Sequence, residues 1–215
     1  MQEHHLTVTK TARYVTLGEP NEDIQQVWFV CHGYGQLAGY FIQHFAALND
    51  GRRLIVAPEG LSRAYLSGFT GRIGASWMTK EDHLHEISDY VNYMNTLYTR
   101  IFQQIERDSV SVYVLGFSQG TATVCRWLSQ GCAKADRLIL WAGLVPPDLD
   151  LAASREILAN SKLTLVLGTE DEYANESRVS EQEQQLKQQN IPYKLITFPG
   201  GHYLVEEILN ELARP

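Results

Sequence analysis

The chain has 215 residues, 44% of them apolar and 20% charged, a globular composition that excludes a disordered or fibrous protein. Eighteen Lys and Arg stand against 25 Asp and Glu; the net charge of −7, with no basic stripe to offset it, excludes nucleic acid as an expected partner. No apolar run reaches the ~18 to 20 residues that cross a bilayer, so no integral membrane association is expected.

The opening Met1-Gln2-Glu3-His4-His5 has neither the basic start nor the apolar stretch of a signal peptide, which predicts a cytoplasmic protein. Residues 6–17 read as one bent strand or a short hairpin at a sheet edge, where Lys10 and Arg13 discourage further pairing. Val27-Trp28-Phe29-Val30, Arg53-Leu54-Ile55-Val56-Ala57, Val112-Tyr113-Val114-Leu115, Leu138-Ile139-Leu140-Trp141 and Leu163-Thr164-Leu165-Val166-Leu167 are near-continuous apolar runs, the pattern of strands covered on both faces. Tyr193-Lys194-Leu195-Ile196-Thr197-Phe198 is a sixth, less uniform run.

Helices fill the gaps. Leu37, Phe41, Phe45 and Leu48 recur at helical spacing ahead of Asn49-Asp50-Gly51. Leu84, Ile87, Val91, Met94, Tyr98, Ile101 and Ile105 form a longer stripe, too short for a coiled coil and suited to packing on a sheet. Further helices are expected over Gln119–Gln130, with Gly131 as the stop, and near residues 151–159, 177–189 and 204–212, with Val179 and Leu186 turned inward. This alternation predicts an α/β fold, a mostly parallel sheet with helices on both faces. With no repeat, linker or second domain in view, residues 1–215 read as a single domain.

Two connections are long: residues 59–79, with Tyr65, Phe69, Trp77 and Met78, and residues 144–149, with Pro146-Pro147. Both are expected to be binding loops over a site. Cys31, Cys125 and Cys132 are too few for a disulfide framework and are expected to be buried thiols. Cys125 and Cys132, seven apart on one helix, would stand roughly 10 Å apart, beyond the bridging limit.

The strongest chemical signal is Gly116-Phe117-Ser118-Gln119-Gly120, which follows a strand and opens a helix. In that context G-x-S-x-G is a nucleophile elbow: a strained turn pushes the serine Oγ out above the sheet edge. Side chains two residues before and after would collide there, hence glycine at both. A serine needs a base, and the base an orienting carboxylate; on such a sheet the chain order is Ser, acid, His. Six of the seven histidines (His4, His5, His32, His44, His83 and His85) precede Ser118, and only His202 follows it, in a glycine-rich loop after the last strand. The acid belongs at the end of the strand before that, where Gly168-Thr169-Glu170-Asp171-Glu172 offers three carboxylates. Asp171 is favoured, with Glu170 as its rival. Asp136, Asp148 and Asp150 lie on earlier connections and are expected to be solvated.

An oxyanion needs donors. The backbone N–H of Gln119 is one, and the loop Cys31-His32-Gly33-Tyr34-Gly35-Gln36 supplies the other, with Tyr34 favoured and His32 bracing the loop. Gly33-x-Gly35 also begins a dinucleotide fingerprint, but the third glycine falls one position late, at Gly39, and Glu59 after Pro58 makes a poor ribose ligand. His83 and His85, two apart on a helix, point in different directions, so no metal site is expected.

These motifs together resemble the phospholipase/carboxylesterase branch of the α/β-hydrolase superfamily, which includes acyl-protein thioesterases. The resemblance rests on His32-Gly33-Tyr34-Gly35, Ala57-Pro58, the Gly116–Gly120 elbow, Gly168-x-x-Asp171 and Gly201-His202, and extends over nearly the whole chain. It implies the α/β-hydrolase fold without a large cap, the triad Ser118, Asp171 and His202, and Tyr34 and Gln119 as oxyanion donors. Ser76-Trp77-Met78-Thr79 stands where the family commonly has Trp-Phe-Asp, so Trp77 is similar to the family's pocket-lining tryptophan. Gln36 replaces an acidic residue, with an expected effect on polarity at the rim of the site.

The expected activity is therefore that of a serine esterase acting on a small-molecule ester or thioester, as a monomer or homodimer, with no cofactor. A lysophospholipase or acyl-protein thioesterase is the alternative among enzymes, and a catalytically silent hydrolase-fold binding protein the alternative outside them. Trp77, Tyr65, Phe69 and Met78 are the expected substrate-binding residues.

Overall fold

A computed structural model describes residues 1–173 and 176–214. Among the described residues nine strands and six α-helices follow one another: β1 (Tyr14–Leu17), β2 (Gln26–Cys31), α1 (Ala38–Phe41), β3 (Arg53–Pro58), β4 (Ser62–Tyr65), β5 (Ile73–Ser76), α2 (His83–Phe102), β6 (Ser111–Phe117), α3 (Gln119–Gln130), β7 (Arg137–Trp141), α4 (Arg155–Asn160), β8 (Leu163–Gly168), α5 (Glu176–Gln188), β9 (Tyr193–Phe198) and α6 (Glu206–Leu212). Seven strands form one sheet in the order β1-β3-β2-β6-β7-β8-β9, and β4 and β5 form a separate hairpin. Every neighbouring pair of the large sheet is parallel except β1–β3.

The apolar runs become central strands because both sheet faces are covered. Along β2, Val27, Phe29 and Cys31 join the core under α2 and α3, while Trp28 and Val30 join the opposite core with Phe41, Phe45 and Leu209. The stripe on α2 buries Ile87, Val91, Met94, Tyr98 and Ile101, but Leu84 is exposed because it lies in the first turn, before the helix reaches the sheet. The helix over residues 177–189 runs Glu176–Gln188 and turns Leu186 inward. No helix among the described residues is long and apolar enough to cross a membrane.

Several expectations need correction. Only Tyr14–Leu17 of residues 6–17 is a strand: its register opposes Tyr14 to Pro58, the end of β3, and past that end the pairing continues with one further bond, from the Glu59 N–H to the Arg13 carbonyl at 3.0 Å. The helix expected from Leu37 to Leu48 is a short α-helix that tightens into a 3₁₀ helix over Ile42–Leu48. Residues 59–79 contain the β4–β5 hairpin, whose strands are too short and too rich in glycine and polar residues to show in the sequence. Cys31 and Cys125 are buried, but Cys132 is exposed, because α3 stops at Gln130 and the chain leaves the core there. Asp136 and Asp148 are paired rather than merely solvated: Asp136 accepts from Arg107 and from the Val112 N–H, and Asp148 grips Arg126 through both carboxylate oxygens at 2.6 and 2.9 Å.

The sheet order fixes where chemistry can occur. From β2 the chain moves outward to β3 and then crosses back to β6 on the other side of β2. The connections leaving the carboxyl ends of β2 and β6 therefore run to opposite sides, which is the usual position of a site in an open parallel sheet.

Candidate active site

Ser118 follows β6 directly and opens α3 at positive φ, φ 54° and ψ −116°, outside the standard regions and strained for a side-chain-bearing residue. The turn is held from both sides: the Ser118 N–H donates to the Trp141 carbonyl at 2.9 Å, and the Ser118 carbonyl accepts from Thr121 N–H and Oγ1. Both flanking glycines are sterically required. A Cβ on Gly116 would stand 2.3 Å from the Gly120 carbonyl oxygen, and one on Gly120 would stand 2.3 Å from that of Cys31.

Asp171 lies three residues past the end of β8, with its side chain fully buried. Its Oδ1 accepts the Tyr173 N–H at 2.9 Å and its Oδ2 accepts the His202 Nδ1–H at 2.8 Å, which leaves His202 Nε2 as the free nitrogen. Glu170, the rival carboxylate, is exposed; its backbone N–H donates to Gly200 and so ties the β8 loop to the loop that carries His202. The imidazole sits between Phe117, with ring centroids 5.0 Å apart, and Tyr173, at 4.9 Å edge-on. His202 thus rests against the residue that immediately precedes Ser118.

The loop after β2 closes the other side. A Cβ on Gly33 would stand 3.2 Å from the Ser118 Cβ, so backbone passes directly beside the serine. Tyr34 follows at the surface, 68% exposed. His32 is fully buried below: Nδ1–H donates to the Gly33 carbonyl at 2.7 Å and Nε2 accepts the Gly60 N–H at 3.0 Å. Burial holds its pKa below the ordinary imidazole value, so the neutral ring braces the loop.

Two glutamines carry roles the sequence did not suggest. Gln36 folds back so that its Oε1 accepts the Gly33 N–H at 2.7 Å, a loop brace rather than a rim substituent. Gln119, besides its backbone position, uses its side chain as a clamp: Oε1 accepts the Trp77 N–H at 3.2 Å, and Nε2 donates to the Met78 carbonyl at 2.8 Å and to Ser76 Oγ at 3.2 Å. Nothing in a linear sequence identifies which loop stands opposite a glutamine. Glu59 is likewise a structural group, 2% exposed, accepting from Arg13 at 2.8 Å and from the Ala38 N–H that opens α1.

The four expected substrate-binding residues divide. Trp77 is 1% exposed, stacks on His32 with centroids 5.0 Å apart and donates its indole N–H to the His32 carbonyl, so it props the β2 loop from beneath instead of presenting a wall. Met78 is half-buried, with Sδ 3.3 Å from Arg126 Nη1. Tyr65 and Phe69 project from the β4–β5 hairpin, 50% and 93% exposed. That hairpin is annealed to the β2 loop through Gly35 N–H to Ala75 carbonyl at 2.8 Å and Ala75 N–H to Gln36 carbonyl at 3.1 Å, which brings Leu66 against Gly35.

A serine on a strained strand-to-helix turn, a buried aspartate bonded to a partly exposed histidine and a glycine loop beside the serine, all at the carboxyl ends of parallel strands, are the architecture of an α/β hydrolase. Solved structures share that fold. Acyl-protein thioesterase 2 of Zea mays superposes with a TM-score of 0.70 at 17% identity, over 94% of this chain and 96% of that one. A phospholipase/carboxylesterase of Dyadobacter fermentans gives 0.66 at 20% identity, over 96% and 98%. The Bacillus cereus carboxylesterase gives 0.66 at 12% identity, over 94% and 91%. The serine hydrolase family described as FSH1 matches residues 70–206, well over half of the chain, and the protein belongs to that family. A comparison with curated protein sequences finds no match.

Proposed function

We propose that this serine hydrolase is a carboxylesterase that cleaves carboxylic esters, and thioesters, through an acyl-enzyme on Ser118. The observation that carries the reading is the hydrogen bond between buried Asp171 and partly exposed His202, whose ring packs on Phe117, next in the chain to a serine held at positive φ. Ser118 Oγ attacks the acyl carbon while His202 Nε2 takes its proton. Asp171 keeps the other ring nitrogen protonated and stabilises the imidazolium. Negative charge on the former carbonyl oxygen is met by the backbone N–H groups of Gln119 and Tyr34, the first of which also belongs to the positive end of α3. Collapse of the tetrahedral intermediate breaks the ester bond, His202 returns the proton to the departing alcohol or thiol, and water attacks the acyl-enzyme by the same route.

The solved structures of similar fold include a thioesterase and carboxylesterases, which is why both leaving groups are included. The absence of any basic stripe in a chain of net charge −7 favours a small-molecule ester over a polyanionic substrate, and the three free thiols suit the cytoplasm.

Replacing Ser118 tests the reading directly. Ser118→Ala should lower kcat on an activated p-nitrophenyl ester by about 10⁴- to 10⁶-fold, the scale seen when such nucleophiles are removed. Fluorophosphonate labelling of the protein should disappear with it. Ordinary turnover or labelling in that variant would assign the chemistry to another group.

A further inference from the structure

The acyl chemistry engages one of seven histidines; two others converge elsewhere on the surface. His5, in the N-terminal segment, and His85, in the first turn of α2, bring their rings to 4.0 Å between centroids. Asp82 faces both imidazoles. Its Oδ2 is 3.1 Å from His5 Nε2, although the two residues are 77 positions apart, and its Oδ1 is 4.0 Å from His85 Nε2. Glu3 Oε1 lies 3.4 Å from the same His5 nitrogen. Donor atoms, one each from His5, Asp82 and His85, lie within 4.8 Å of one another.

Asp82 occupies the position from which a carboxylate ordinarily caps a helix, yet it makes no side-chain capping bond. Its backbone is left-handed, φ 50° and ψ 33°, and the carboxylate turns to the imidazoles instead. His83, two residues before His85, is directed elsewhere and lines a groove with Leu84 and Asp148. The helical offset that separates His83 from His85 therefore leaves His85 free to meet a partner from the N-terminal segment.

We propose that His5, Asp82 and His85 form a three-ligand binding site for a divalent transition ion of the zinc class. Neutral imidazole nitrogens mixed with carboxylate oxygens are the ligand set of Zn²⁺, whereas Mg²⁺ and Ca²⁺ select oxygen alone. The geometry is close to what such an ion requires. Ligand bonds of about 2.1 Å in a tetrahedron set the donors about 3.4 Å apart; here Asp82 Oδ2 stands 3.1 Å from His5 Nε2 and Asp82 Oδ1 4.0 Å from His85 Nε2, with one donor from each residue within 4.8 Å of the others. Rotation of exposed side chains closes the remainder. The ion would fasten the N-terminal segment to the start of α2, adding to the holds that segment already has through Lys10 on the Leu61 carbonyl, Arg13 on Glu59 and the Tyr93 hydroxyl on the Arg13 carbonyl. No step of ester cleavage runs through it.

Calorimetric titration of the tag-free full chain with Zn²⁺ at neutral pH tests the site, and the readout does not depend on esterase activity. One equivalent should bind with a dissociation constant in the micromolar range or tighter. Asp82→Asn and His85→Ala should each weaken it by at least about tenfold, and His83→Ala should leave it within about twofold. Thermal melts without metal check that each variant is folded, and Zn²⁺ should raise the melting temperature of the wild type but not of His5→Ala. No one-to-one binding tighter than about 100 μM, or wild-type affinity in either Asp82→Asn or His85→Ala, would show these groups to be a surface ion-pair cluster and overturn the proposal.

Discussion

At the scale of single residues, the candidate site divides into groups defined by local sequence and groups defined only by neighbours. Ser118 belongs to the first kind: glycine at 116 and 120 is required because carbonyl oxygens stand 2.3 Å from any Cβ there, and that requirement is written within five residues. His202 is legible by elimination, since no other histidine follows the serine. The carboxylate is harder, because Glu170, Asp171 and Glu172 are consecutive and chemically alike; only the turn after β8 decides which one faces inward. Asp171 is the one bonded to His202, and Glu170 is exposed. Asp171→Asn should therefore lower kcat by about 10⁴-fold while keeping the fold, because an amide can hold the ring in the wrong tautomer. Glu170→Gln should stay within about threefold of wild type, since exposed substitutions away from the reacting groups change little. Steady-state kinetics on one ester decides: near-wild-type rates in both single variants would mean that either carboxylate can serve, and equal losses would mean that both are needed. The clamps formed by Gln36 and Gln119 illustrate what no reading of the chain supplies, since each bonds a backbone group whose approach depends on tertiary packing.

At the scale of elements, the strands were the legible part. A run such as Val27-Trp28-Phe29-Val30 has apolar residues on both faces and can only be covered on both. The β4–β5 hairpin was not legible: Ile73-Gly74-Ala75-Ser76 has little strand propensity, and its pairing is reinforced by the Gln36–Ala75 bridge to a distant loop. His32 is the hinge between these elements. It joins the end of β2 to the turn after β3 by accepting the Gly60 N–H, and Trp77 from the end of β5 stacks on it. Protonation of Nε2 would set a donor against a donor, and burial further disfavours the charged ring, with the nearby Glu59 carboxylate opposing only in part. Because the folded pKa is lowered, the unfolded chain binds the proton more readily. Stability from this group is therefore complete above the unfolded value of about 6.5 and is lost as pH falls through the folded one. His32→Gln should be less stable than wild type at pH 8, and the gap in urea midpoint should narrow as pH drops below about 6.5. A gap independent of pH between 8 and 5 would mean that His32 contributes packing alone.

At the scale of the whole molecule, the order β3-β2-β6 sets the position of the candidate site, and the remaining question is what covers it. No large cap stands over the sheet among the described residues. The connection 144–149 is pinned into the body, through the Val145 N–H on Gln182 and through Asp148 on Arg126, whose side chain is only 9% exposed. The β4–β5 hairpin is different: it is tied at its base to the loop beside Ser118 while Tyr65, Leu66 and Phe69 stay open to solvent. Exposed aromatic and aliphatic groups clustered on one small element are a contact surface in waiting. If the protein cleaves esters as proposed, a long acyl chain has this apolar surface to lie against, whereas an acetyl group is too short to reach it. Each methylene buried against such a surface contributes at most about 0.8 kcal/mol, or roughly a fourfold change in kcat/KM. The p-nitrophenyl ester series should accordingly show kcat/KM rising with chain length over several carbons before levelling. Phe69→Ser and Tyr65→Ser should flatten that rise and leave the acetate rate unchanged, because neither side chain touches Ser118, Asp171 or His202. A wild-type profile flat from acetate to decanoate, or a variant that loses acetate and decanoate activity equally, would remove the hairpin from acyl recognition and leave it a brace for the β2 loop.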